Sequence, residues 1–264
     1  MNFEDILKRY FDKTYTEIEF VKKTYDALKQ LGFNNDNTIA AKCICRDEIS
    51  QSIRSVIKHM WGEAFNFSSL AGMFFAGKTG LAAAMHHAPI ADGKERYVFY
   101  ALPHIAINEE GRIGVCKRTG REGESTACGA LNAFQKELSS KVEKLKVERL
   151  QIEGFKNERS TFNVQHSTFN EIDTDDVEMS LIRMRLLKEI PYGHVPDLLE
   201  LTKITLKAIQ ADLETTINRV VDTGKSNYAV ITGIQINGPD SNYVWPAECY
   251  AVVNGTKQII TLKS

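Results

Sequence analysis

Two cysteines and a histidine, Cys45, His104 and Cys128, are the residues of this chain best suited to chemistry. Zinc favours thiolate and imidazole ligands, and a catalytic zinc keeps three protein ligands and one open position. Each of the three lies where an apolar, strand-like run ends or a helical pattern begins, so distant segments could meet at one edge of a sheet. Cys128 opens a helical pattern, and the positive end of a helix favours the thiolate that zinc requires. The opposing reading is that cysteines are common core residues and that His104 merely follows Pro103. Cys43 would share a strand face with Cys45; Cys45 is preferred because Asp47 follows two positions on, and Cys43 is read as core. Structural roles are expected for Cys116, in a glycine-rich loop, and Cys249, in a late strand.

The elements that must position these groups follow from apolar periodicity. Asn37–Cys45 is short, apolar and bounded by turn residues, which predicts a buried strand. Ile49, Ile53, Val56, Ile57 and Met60 then keep helical spacing up to Gly62. Arg96–Leu102 is β-branched and aromatic, a second buried strand that ends at Pro103-His104. Glu109–Thr126 reads as a long loop, and a helix is expected from Cys128 to about Leu138. Upstream, residues 3–31 read as one long amphipathic helix, a packing arm. Downstream come Leu145–Gly154 with partial alternation, helices near 175–188 and 196–222, and strands at Tyr228–Ile236, Tyr243–Val253 and Ile259–Leu262. This alternation predicts an α/β fold with a partly parallel central sheet flanked by helices and extended by antiparallel C-terminal strands. One domain over 1–264 is the simplest division: a helical arm (1–35), a core carrying the zinc site (36–150) and C-terminal helices and strands (151–264).

Composition narrows the partners. The formal net charge of −1 supplies no global field for nucleic acid or anionic membrane. No apolar run approaches the roughly 20 residues that span a bilayer. The first residues, MNFEDILKRYFDK, lack the apolar stretch of a secretory signal, so a cytoplasmic protein is expected. Five cysteines, an odd number in a large chain, argue against a disulfide framework.

Several motifs in order resemble a known family. Cys45-Arg46-Asp47 resembles the first half of the Cys-x-Asp-x-Arg motif of β-class carbonic anhydrases, and Cys128-Gly129-Ala130 resembles that class's second cysteine. Cys45–Glu48, Ser68–Gly72, Phe75–Gly80, His86–Pro89, Pro103–Ile107, Gly120-Arg121 and Ala127–Leu131 together resemble the limiting-CO2-inducible B/C family, a branch with a β-carbonic-anhydrase-like fold. The resemblance implies Zn2+ on Cys45, His104 and Cys128, reversible hydration of carbon dioxide to bicarbonate by zinc-bound hydroxide, and a homodimer. It further implies that Asp47 accepts a hydrogen bond from the reacting water and that an arginine keeps Asp47 ionised. Here the chain departs from the β-class pattern, because Ile49 stands where that arginine belongs. Arg46 is taken as the catalytic partner of Asp47, with Arg54, Arg118 and Arg121 as further candidates. Without such a partner Asp47 could close the site itself, leaving a non-catalytic zinc protein such as a bicarbonate sensor. Ser69, Phe74, Phe75, His87 and Arg121 are expected to line the substrate pocket, although core packing suits Ser69 and the two phenylalanines equally. His87 or His86 could move protons, with a structural role favoured; His59, His166 and His194 are read as ordinary surface or core residues.

A third reading comes from Gly72–Thr79, which matches the phosphate-binding pattern G-x-x-x-x-G-K-[ST] of nucleotide hydrolases. Bulky Met73-Phe74-Phe75 inside the loop and the lack of an apolar strand ending in Asp argue against it.

Overall fold

Along Lys94–Leu102, side chains alternate between two cores: Tyr97, Phe99 and Ala101 enter one, Val98, Tyr100 and Leu102 the other. A strand buried on both faces belongs inside a parallel sheet covered on each side. The computed structural model of the chain, which describes residues 2–152 and 172–262, has that arrangement. Its helices are α1 (Phe3–Leu7), α2 (Glu17–Lys29), α3 (Gln51–Trp61), α4 (Gly77–Met85), α5 (Gly129–Ile152), α6 (Val177–Leu186) and α7 (Leu198–Val220). The strands are β1 (Tyr15–Thr16), β2 (Ile39–Ile44), β3 (Ala64–Asn66), β4 (Ile90–Ala91), β5 (Lys94–Leu102), β6 (His104–Ala106), β7 (Val115–Cys116), β8 (Ser125–Thr126), β9 (Ser226–Asn237), β10 (Asn242–Val253) and β11 (Thr256–Ile259). The main sheet runs β1-β10-β9-β5-β2-β3, with β4 on β5, β6 on β9 and β11 on β10. Strands β3, β2, β5, β6 and β9 pair in parallel, whereas β10 is antiparallel to β9, β1 and β11. One face carries α1 and α4 to α7 and the other carries α2 and α3. No helix among the described residues is long and apolar enough to cross a membrane.

The expected fold class holds, with corrections at particular elements. The single helix expected over residues 3–31 is two helices with β1 between them. A capping box restarts the chain at Thr16: its hydroxyl accepts from the Glu19 N–H at 3.3 Å, and the Glu19 carboxylate accepts from the Thr16 N–H at 2.9 Å. Phe11 and Tyr15 enter different cores, so the arm passes around the β10 edge of the sheet and packs on the chain's own body. The partial alternation read over Leu145–Gly154 belongs, as far as Ile152, to α5, which runs well past Leu138. Its Leu, Glu, Lys and Gln are strong helix formers, and that preference outweighs a few alternating positions. Residues 153 and 154, like His166, lie outside the described residues. The last strand comes earlier than expected, because Asn254 and Gly255, at φ 51° and 77°, make a two-residue turn that pairs Val253 with Thr256. The loop 109–126 contains the small hairpin β7–β8.

Candidate metal centre

Strand β2 ends at Ile44, and the parallel strand beside it, β5, stops at Leu102, opposite Ile44. Proline has no N–H to offer a neighbouring strand, and Pro103 marks the point beyond which β2 no longer pairs with the chain while β9 still does, His104 lying opposite Gln235. His104 therefore extends past the end of β2, where Cys45 leaves the sheet. Cys43 and Cys45 share the same core face, as expected from alternation. The third segment arrives through the loop. The Ala106 N–H donates to the Ala127 carbonyl at 3.1 Å, and the Gly114 N–H to the Ala106 carbonyl at 2.7 Å. Gly114 has φ +78°, which glycine adopts without strain, and a Cβ there would sit 2.4 Å from Leu198 Cδ2, which would have to move aside. Gly72, at φ +73°, lets its loop pass over Cys45; an added Cβ would lie 3.2 Å from the Cys45 nitrogen.

These segments bring Cys45, His104 and Cys128 together, with their ligand atoms within 4.8 Å of one another and all three residues buried. The two sulfurs are 3.9 Å apart. Two thiolates bound at about 2.3 Å in a tetrahedron would stand about 3.8 Å apart. His104 Nε2 is buried and has no hydrogen-bond partner, an arrangement that costs free energy unless something else binds the lone pair. The donor types, their spacing and this orphaned nitrogen fit a tetrahedral metal ion.

Electrostatics follow from burial and neighbours. Cys45 is pushed up, first by its hydrogen bond with the Cys128 sulfur and then by burial. Cys128 is lowered by that same contact against the effect of burial, helped by the N–H groups of Leu131 and Ala130. Cys128 is the cap residue of α5: its carbonyl accepts from the Asn132 N–H at 3.0 Å and its sulfur faces the free N–H groups of the first turn. Burial lowers the proton affinity of His104, but the Cys45 sulfur, Asn237 and Asp47 outweigh it and the net direction is up.

Asp47 lies beside this group, Oδ2 being 3.8 Å from His104 Nε2. The arginine on it is Arg118. Its Nη1 and Nη2 donate to Oδ1 and Oδ2 at 2.9 and 3.0 Å, and Nη2 also donates to the Thr126 carbonyl at 3.1 Å. Burial would raise the Asp47 carboxyl, but Arg118, with His104 and the Ile49 N–H, holds it below the usual carboxylate value. Arg46, expected in this role, points elsewhere and pairs with Glu178 Oε1 at 2.5 Å, which corrects that assignment. Of the other candidates, Arg54 donates to the backbone carbonyls of Cys45 and Asp47 at 3.3 and 3.2 Å. Arg121 is exposed, and its N–H closes the turn on the Arg118 carbonyl.

Of the expected pocket residues, Ser69 lies beside the metal group, in an isolated parallel bridge with Cys45, and its carbonyl accepts from the Arg46 N–H at 3.0 Å. The Ser69 hydroxyl is committed to the Met73 carbonyl at 2.5 Å. Phe74 is buried edge-on to Phe67, and Phe75 packs at the margin of the same core. His87 faces the Phe65 ring and lines a separate cavity of about 350 Å³ beside β3. The residue missed entirely is Asn237, whose Oδ1 lies 2.9 Å from His104 Nδ1. A polar residue closing an apolar strand was its only trace in the sequence. The phosphate-loop reading fails on geometry: Met73 and Phe74 fill the core, and Gly72 serves the approach to Cys45.

Comparison with known proteins identifies the family of the fold. A family model described as limiting CO2-inducible proteins B/C, beta carbonic anhydrases, matches residues 14–253. The crystal structure of limiting CO2-inducible protein LCIB is similar at 34% identity over 97% of each chain, with a TM-score of 0.74. PtLCIB4, a homologue of LCIB, shares the fold at 21% identity, over 97% of this chain and 98% of its own, with a TM-score of 0.74. No match is found among curated protein sequences. With nearly the whole chain matched, it belongs to the limiting CO2-inducible protein B/C family of carbonic-anhydrase-like proteins.

Proposed function

We propose that the chain is a zinc-dependent carbonic anhydrase that interconverts carbon dioxide and bicarbonate. The observation that carries this reading is the buried Cys45–His104–Cys128 group with an arginine-held carboxylate beside it. Cys45, His104 and Cys128 would hold the zinc, and a zinc ion with an open position lowers the pKa of water from 15.7 to about 7. Asp47, ionised and gripped on both oxygens by Arg118, would accept a hydrogen bond from the reacting water and orient it. That double grip also holds Asp47 back from the metal, which favours the open site over the closed, non-catalytic one. Burial of all three ligands keeps competing bulk water away. The family also implies a homodimer, which sedimentation of the purified protein would measure.

The test is metal analysis followed by stopped-flow carbon dioxide hydration on zinc-loaded protein across pH. About one zinc per chain, lost in Cys45→Ser, with hydration that rises towards alkaline pH, supports the proposal. One zinc per chain without hydration would sink the enzyme reading and leave the non-catalytic zinc protein.

A further inference from the structure

We infer that Asn237 is a positioning residue that sets the tautomer and aim of the His104 ring; the inference rests on the metal reading above and extends it to a residue that has no assigned role. The two side chains meet inside the protein, Asn237 Oδ1 2.9 Å from His104 Nδ1, with His104 0% and Asn237 4% exposed. A carboxamide oxygen can only accept, so the proton of the neutral ring sits on Nδ1 and the lone pair on Nε2. Nε2 is the ring atom left without a partner, facing Asp47 and the sulfurs.

The amide cannot simply turn over. Its Nδ2 donates to the Ile49 carbonyl at 3.1 Å and to Asn242 Oδ1 at 3.3 Å, and Asn242 Nδ2 in turn donates to Ser52 Oγ at 2.9 Å. A flipped Asn237 would set its oxygen against the Ile49 carbonyl and its NH2 against the Nδ1 proton, two repulsive contacts in a buried place. The Ile49 carbonyl belongs to the short 3-10 turn, Glu48–Ser50, that is capped by Asp47. One side chain at the end of β9 therefore ties the histidine-bearing strand to the turn that follows Cys45. Groups of this kind, behind a metal-bound histidine, typically change metal affinity by roughly 10–100-fold when removed.

The experiment measures zinc affinity by chelator competition for the full chain, for Asn237→Leu and for Asn237→Asp, together with the melting temperature of each metal-free protein. Leu removes the acceptor for Nδ1. Asp keeps that acceptor but loses the donor to Ile49. The expected result is affinity about 10-fold or more weaker in N237L and within a few-fold of wild type in N237D. Equal losses in both variants, tracking their melting temperatures, would show a merely structural role and overturn the inference. Unchanged affinity in N237L overturns it as well. Long-range 1H–15N spectra of the metal-free wild type give an independent readout: the His104 ring, assigned from His104→Gln, should be protonated at Nδ1, and protonation at Nε2 contradicts the proposal. Wild-type protein that takes up no zinc defeats the metal reading itself, whereas zinc-binding wild type with an indifferent N237L defeats this inference alone.

Discussion

At the scale of single residues, the site is made by groups that constrain one another. Arg118 reaches Asp47 with both terminal nitrogens and Thr126 with one of them, so it joins the turn after Cys45 to the strand before Cys128. Arg118→Ala should lower carbon dioxide hydration by at least about tenfold and cost about 1–3 kcal/mol of stability, because it leaves a half-buried carboxylate unpaired. Stopped-flow rates and urea unfolding measure the two effects; an unchanged rate would remove Arg118 from the proposed chemistry. Glu17 gives a pH prediction away from the metal. It is buried, 5% exposed, and accepts from Gln235 Nε2 at 2.7 Å. Burial raises its carboxyl above 4.5, and the hydrogen bonds of Ser52, Gln235 and Asn242 only partly oppose that. An acid whose folded pKa lies above its unfolded value penalises folding as pH rises from the unfolded value through the folded one. Glu17→Gln should remove that penalty, so the stability of E17Q relative to wild type should climb over this interval and then level off. A difference that stays flat from pH 4 upwards would contradict it.

At the scale of elements, the site depends on where strands stop and how the loop returns. The Gly114 crossing brings Cys128 to His104; its positive φ strains any side chain placed there, and an added Cβ would displace Leu198 Cδ2. Gly114→Ala should cost about 1–3 kcal/mol through backbone strain and should weaken zinc binding, since Ala127 hangs from the Gly114 carbonyl at 3.1 Å. Chelator titration with thermal melts checks both, and a variant with wild-type zinc affinity would show that the loop does not position Cys128. Most of these elements are legible in the chain itself. Strands β2, β5, β9 and β10 and helices α3, α6 and α7 follow from apolar periodicity to within a few residues. The break in the arm is masked in the sequence because the apolar positions of α1 and α2 keep near-helical phase across it. Only the Thr16–Glu19 box, an S/T-x-x-E signal, marks where the second helix begins.

At the scale of the whole molecule, the ligands come from three segments far apart along the chain, so a metal at this centre would act as a cross-link. Ligands that bind only the folded state stabilise it by RT ln(1 + [L]/Kd), about 4 kcal/mol at a thousandfold excess over Kd. Removing zinc with a chelator should therefore lower the melting temperature by several degrees, reversibly, while Cys45→Ser should melt at one temperature with or without zinc. Identical melting of the wild type with and without zinc would argue that no metal is held by the folded chain. The two-sided burial of the sheet, with α2 and α3 on one face and the remaining helices on the other, keeps the positions of these segments rigid enough for such a cross-link.

What the chain determines by itself is the kind of site: thiolates and an imidazole at strand ends, a carboxylate beside one of them, and an α/β scaffold, all set by residue type and local periodicity. Which arginine serves Asp47 was decided only by the tertiary structure. Arg46, adjacent in the chain, is carried off to Glu178, and Arg118, more than seventy positions away, folds back over the carboxylate. Asn237 was invisible for the same reason. Its partner lies 133 residues upstream, and it meets His104 only because β6 and β9 pair in parallel, a long-range register that local sequence does not encode.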